Sequence, residues 1–207
     1  MSSGCKSLDP YQPTQSGVLS DYAGLTKDSF HINGGLGKQR NLSRNATPEA
    51  LARIDSFYIE PAGWMVDEQS RAGRDSSSRP ALTAELSIAL RDQLGTIRPV
   101  VERPGANTAR VRSVITVARL SRPYTNAVFH VAGIVGTVVG VPVPLPMFTG
   151  GACVEAEVVG PDNRQIAAIT CASAGGPLDF FGNFIRLKHA RKAMRRAAKE
   201  LRETIAR

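Results

Sequence analysis

The sequence predicts an α+β domain: a mixed or antiparallel sheet of four to five strands with two helices packed on one face, preceded by an extended N-terminal arm. Three observations carry this expectation. Apolar residues alternate with period two over residues 153–158 and 165–171, as half-buried strands require. They recur at spacings of three and four around Leu82–Leu90 and Leu187–Ile205, the mark of helices with one buried face. The first fifty residues show neither period and are rich in Gly, Ser, Asn and Pro.

Residues 1–50 therefore read as an arm or tether, with Ser16–Leu25 as a docked turn within it, and residues 51–207 as a single domain. A strand is expected at Ile54–Ile59, then a polar loop at Asp67–Arg79. Pro80 suits the first turn of a helix running to about Leu94, with Leu82, Leu86, Ala89 and Leu90 on one face and Gly95 at its end. Ile97–Val101 is a short strand candidate and Val111–Leu120 a longer, β-branched one. A hairpin follows, turning at Gly160-Pro161-Asp162-Asn163, and a helix from about Leu178 to Ala206 closes the chain. The order is βαββ, an apolar connection, then ββα, with no second domain.

Charge is concentrated at one end. The net charge is +8, and nine Lys or Arg against two Glu fall between Arg186 and Arg207, leaving the rest of the chain nearly neutral. In the last helix Leu187, Ala190, Met194, Ala197, Leu201 and Ile205 form the apolar stripe. Lys188, Arg191, Lys192, Arg195, Arg196 and Lys199 fill the other faces and form a candidate contact surface. That surface suits anionic lipid headgroups, acidic cell-wall polymers or an acidic partner protein, or is simply a solvated back.

Ala127–Phe148 contains no formally charged residue. Its length matches a membrane span, but Pro142, Pro144 and Pro146 break a helix. Lipid-exposed non-helical backbone would also leave its polar groups unpaired. Two readings stand: a loop lying over the sheet under the arm, or an exposed partner or membrane contact through Val128, Ile134, Val138, Val141 and Phe148.

Matching the apolar faces of the hairpin opposes Val154 to Thr170 and Ala156 to Ala168, which sets Cys153 opposite Cys171 as a disulfide candidate. The alternative is two small buried thiols. Glu155 and Glu157 share the other face of the same strand and are expected to be solvated. Ser2-Ser3-Gly4 ahead of Cys5 is the kind of small-residue run that a lipoprotein signal peptidase cleaves after. That reading of Cys5 as a lipidation site requires a charged segment and an apolar run upstream of Met1.

The stretch Ser16-Gly17-Val18-Leu19-Ser20-Asp21-Tyr22-Ala23-Gly24-Leu25 resembles the mature start of an uncharacterised family of Gram-negative envelope lipoproteins. The likeness extends more loosely to the Ala152–Ala172 hairpin, the apolar connection before it and the amphipathic end. Membership implies an acylated Cys5, a lipid bilayer as partner, and a location at the periplasmic face of the outer membrane. It implies no activity.

Nothing in the sequence assembles chemistry. Gly34-Gly35-Leu36-Gly37 follows no expected strand and lacks the Lys-Ser/Thr of a phosphate loop; no nucleophile elbow, metal-spaced His pair or Cys-x-x-Cys occurs. The expectation is a non-enzymatic adapter or assembly factor of the cell envelope, without cofactor, metal or small-molecule substrate, contacting another envelope protein or itself. The alternative is a cytoplasmic nucleic-acid-binding domain using the Arg/Lys helix; it lacks the interleaved aromatics that support such a reading.

Overall fold

A computed structural model describes residues 13–33, 36–121, 150–176, 179 and 185–206. Eight strands form one mixed sheet: β1 (Lys27–Asn33), β2 (Gly37–Arg44), β3 (Ser56–Ile59), β4 (Gly63–Trp64), β5 (Val100–Val101), β6 (Thr108–Arg119), β7 (Gly151–Val159) and β8 (Gln165–Ala174). Their order across the sheet is β1-β2-β8-β7-β6-β3-β5, with β4 also pairing β6. From β1 to β6 every pairing is antiparallel, whereas β3, β4 and β5 join in parallel. Three helices complete the described fold: a single turn α1 (Pro48–Leu51), then α2 (Ser78–Leu94) and α3 (Lys188–Ala206).

The two long helices pack against each other, with α3 lying on β7 and β8. Leu82, Leu86, Leu90 and Leu94 of α2 meet Met194, Leu201 and Ile205 of α3 in one core, under Val154, Ala156 and Val158 of β7. Alanines at 190, 193, 197 and 198 form much of the buried side of α3, and such short side chains let a helix lie close to the strands below it. Gly95 caps α2, donating its N–H to the Arg91 carbonyl. The expected start of the last helix, residues 178–187, lies mostly outside the described residues.

The sheet is larger than the four to five strands expected from sequence. The additional strands are β1 and β2, inside the span assigned to the arm, and the two-residue β4. The hairpin escapes hydropathy reading because the buried positions of β2 are Gly37, Gln39, Asn41 and Ser43, none of them a large apolar residue. Their polar atoms bond within the hairpin: Gln39 Nε2 donates to Asn41 Oδ1, and Asn41 Nδ2 donates to Ser29 Oγ. The extended arm proper is therefore residues 13–26 among those described.

The hairpin register also differs by one. Val154 stands opposite Cys171, and Cys153 opposite Ala172. The cause is a bulge beside the turn: Val158 pairs with Ala167 but Val159 with Gln165, so Ile166 is an extra residue on β8. A one-residue slip exchanges faces. Cys171 packs under the helices, while Cys153 packs with Val117 and Ala172 on the opposite face. The predicted Cys153–Cys171 disulfide is not formed; neither cysteine is bridged, and both thiols are buried. Burial among apolar neighbours pushes the Cys171 thiol pKa well up.

Candidate functional site

The face of the sheet away from the helices carries Cys153, Glu155 and Glu157 on β7, with Ala168, Thr170 and Ala172 beside them on β8. Those neighbours are short, which leaves room above them for another segment of chain. The arm fills it. Leu19 and Leu25 drop onto Ala168, flanked by Tyr22 and Leu42. Sequence alternation assigns the two carboxylates to solvent; the structure buries both completely.

Each carboxylate is saturated by donors. Glu155 Oε1 accepts from Thr14 Oγ1 at 2.9 Å and the Ser16 N–H at 2.8 Å, and Oε2 from Ser16 Oγ at 2.7 Å and the Tyr22 hydroxyl at 2.5 Å. Glu157 Oε2 accepts from the Ser20 N–H and Gln165 Nε2, both at 2.8 Å. Its Oε1 accepts from Ser20 Oγ at 2.9 Å and Arg112 Nη1 at 3.4 Å. A carboxylate offers about four lone-pair sites, and all are taken on both residues. Arg112 stands directly opposite Glu157 across β6 and β7, so this cross-strand pair supplies the one cation in contact with the two carboxylates among the described residues.

Tyr22 organises the loop. Its hydroxyl donates to Glu155 and accepts from the N–H groups of Gly17, Val18 and Leu19 at 2.9, 3.0 and 3.2 Å. Gly17 has φ +88, a region open to glycine and costly for other residues, and that geometry turns three successive N–H groups inward. Further supports fix the ends. Thr14 Oγ1 lies 2.6 Å from Thr116 Oγ1, and Thr116 is the bulged residue between Ile115 and Val117 of β6. Asp21 pairs with Arg44 at 2.7 Å, and the same guanidinium reaches Gln165. Beside Glu155, Thr170 Oγ1 is buried without a hydrogen-bond partner among the described residues.

Chemically this is a clasp. Paired carboxylates that act as acid and base must reach a substrate proton, whereas every oxygen here is occupied by the chain itself. An open groove of roughly 640 Å³ adjoins the clasp through Arg44 and Gln165. Its lining mixes Arg53 and Arg164 with Glu49, Asp55 and Asp162, so its charge favours no one ligand sign.

The other sequence-predicted positions divide. Cys5 and the apolar contacts Val128, Ile134, Val138, Val141 and Phe148 lie outside the described residues. On α3, Arg191, Lys192, Arg195 and Lys199 are exposed, while Lys188 and Arg196 are half-buried. Arg195 bonds Glu85 of α2 at 2.6 Å, Lys188 lies 4.0 Å from Asp179, and Lys199 lies 3.7 Å from Glu203. Arg196 turns inward and donates to Ser173 Oγ at 2.8 Å, where burial lowers its pKa. Sequence reasoning placed a docked turn at Ser16–Leu25 but missed its partners, since it assigned Glu155 and Glu157 to solvent. Their signal was the hydroxyl-rich Thr14–Tyr22 stretch, which needed a partner with many acceptor sites.

A family model described as "Protein of unknown function (DUF3313)" matches residues 14–201. No curated protein matches the sequence. Among solved structures, the PelC dodecamer from Paraburkholderia phytofirmans is similar at 9% identity and a TM-score of 0.45, covering 80% of this chain and 97% of that one. A point-substituted PelC dodecamer from the same organism gives a TM-score of 0.42 at the same identity and coverage. Since the matched span runs from the first clasp residue, Thr14, nearly to the end of α3, the chain belongs to this domain-of-unknown-function family.

Proposed function

We propose that this protein is a non-enzymatic adapter of the cell envelope, anchored through an acylated Cys5 to the outer membrane and facing the periplasm. The observation that carries the reading is the two-sided body. The arm is clasped to one face of the sheet through Glu155 and Glu157, and α3 lies on the other face with Arg191, Lys192, Arg195 and Lys199 outward. Cys5 lies nine residues before Thr14, which spans at most about 30 Å of extended chain. A lipid on Cys5 thus holds the arm-side face near the bilayer. The cationic side of α3 is left for a partner, which is the geometry an adapter needs. Contact of residues 128–148 with a partner belongs to the same proposal.

The test is the intact mass of the protein made in its own host from the full upstream reading frame. A diacylglyceryl, amide-capped Cys5 as the new amino terminus supports the reading. A chain that begins at Met1 and carries no lipid overturns it. In that case duplex DNA binding that weakens steeply with salt would establish the nucleic-acid alternative.

A further inference from the structure

We propose that β1 is a homotypic docking edge: two copies pair β1 to β1 antiparallel about a two-fold axis at His31, joining their sheets into one. Among the described residues, β1 pairs with β2 on one side and with nothing on the other. Among the described residues the outer N–H and C=O groups of this seven-residue strand meet no other strand, and such an edge is a template for one. This edge is also apolar on one face. Phe30 is 55% exposed and Ile32 67% exposed, and Leu36 just beyond is 49% exposed. These are three of the six large hydrophobic side chains found exposed among the described residues, and Phe30 and Ile32, two apart on one strand, share a face.

The strand's own pattern selects a second copy as the occupant. Phe30 and Ile32 stand opposite Arg40 and Lys38 of β2, on the arm side, whereas Ser29, His31 and Asn33 point to the helix side. A two-fold that keeps both faces continuous allows only registers that differ by two residues. Centred on His31, it sets Phe30 against the partner's Ile32 twice, an aromatic–β-branched pair of the kind that stabilises sheets. It also sets Ser29 against the partner's Asn33 on the helix side. Centred on Phe30, it would instead press Asp28, which is bonded to Arg40, against the partner's Ile32. Alternation thus favours the His31 register.

The contact is short, adding about four to six main-chain hydrogen bonds. So small an interface belongs to the weak, concentration-dependent class. The experiment is sedimentation velocity on the full chain from about 1 µM to 1 mM. The expected result is a monomer–dimer equilibrium whose dissociation constant rises at least tenfold in Phe30→Lys and Ile32→Lys, with melting temperature unchanged. In a Cys5→Ser background, His31→Cys should give a covalent dimer on mild oxidation, because the two side chains face each other across the axis. A chain that stays monomeric throughout overturns the proposal. So does a dimer that Phe30→Lys leaves intact, or an oxidised His31→Cys chain with no covalent dimer.

Discussion

Glu155→Gln isolates the clasp from the core. Glutamine keeps the size and shape of the side chain, so what changes is its pattern of acceptors. The amide nitrogen must replace one of two oxygens, and neither place is tolerable. At Oε1 it would face the Ser16 N–H, which cannot accept. At Oε2 it would face the Tyr22 hydroxyl, whose oxygen already receives the N–H groups of Gly17, Val18 and Leu19. One donor–donor conflict in a fully buried site costs about 1–3 kcal/mol, and the remaining bonds lose their charge assistance. Together these give about 3 kcal/mol, or roughly 100-fold in the arm's docking equilibrium. Hydrogen exchange reads this directly, as faster exchange of the Ser16–Ser20 amides while β7, β8 and α3 stay protected. If those amides keep wild-type protection within about threefold, less than 1 kcal/mol, the carboxylate is not what holds the arm. The reasoning would also fail if the core strands lost protection together with the arm.

Three further outcomes are expected. Tyr22→Phe removes the acceptor shared by three N–H groups and a donor to Glu155. It should weaken arm docking by about 2 kcal/mol, seen as earlier proteolytic cleavage in residues 13–26 with the body resistant. His189 is pushed below its ordinary pKa of 6.5, chiefly by burial, with Lys192, Lys188 and Arg196 adding to the shift and Asp179 opposing it. The unfolded chain then binds the proton more readily, so this stabilisation is complete above pH 6.5 and is lost as pH falls from there through the folded value. Urea unfolding of wild type against His189→Asn between pH 7.5 and 5.5 should show the loss in wild type only. Finally, mild oxidation should leave Cys153 and Cys171 unlinked by peptide mass mapping, and alkylation of either should require unfolding, since they occupy opposite faces of the sheet.

The α+β class, both long helices and the central strands were legible because each buries an apolar side with its own period. Leu82, Leu86 and Leu90 mark α2, and Val154, Ala156 and Val158 mark β7. Three things were not legible. The β1–β2 hairpin buries Gln39 and Asn41 instead of apolar residues, so it lacks the hydropathy signature of a strand. The hairpin register hinged on Ile166, an unpaired residue at a bulge; counting outward from the turn cannot detect it. The fate of Glu155 and Glu157 depends on residues about 140 positions away in the sequence, beyond the reach of any local pattern.

That last gap has a physical root. Alternation tells which residues share a face but not what covers that face. An apolar cover shows itself in sequence as hydrophobic residues in search of burial. The cover here is held chiefly by hydroxyls and main-chain N–H groups on Thr14, Ser16, Ser20 and Tyr22, which look like ordinary loop. Hydrogen bonding imposes a demand that apolar burial does not, because a donor taken from water must meet an acceptor in a definite place. Two carboxylates spaced along one strand, beside short side chains, supply many acceptor sites in a small area. Docking is therefore directional and sensitive to single atoms. Removing one oxygen at Glu155 should matter more to the arm than shortening Leu19 or Leu25 by a methyl group.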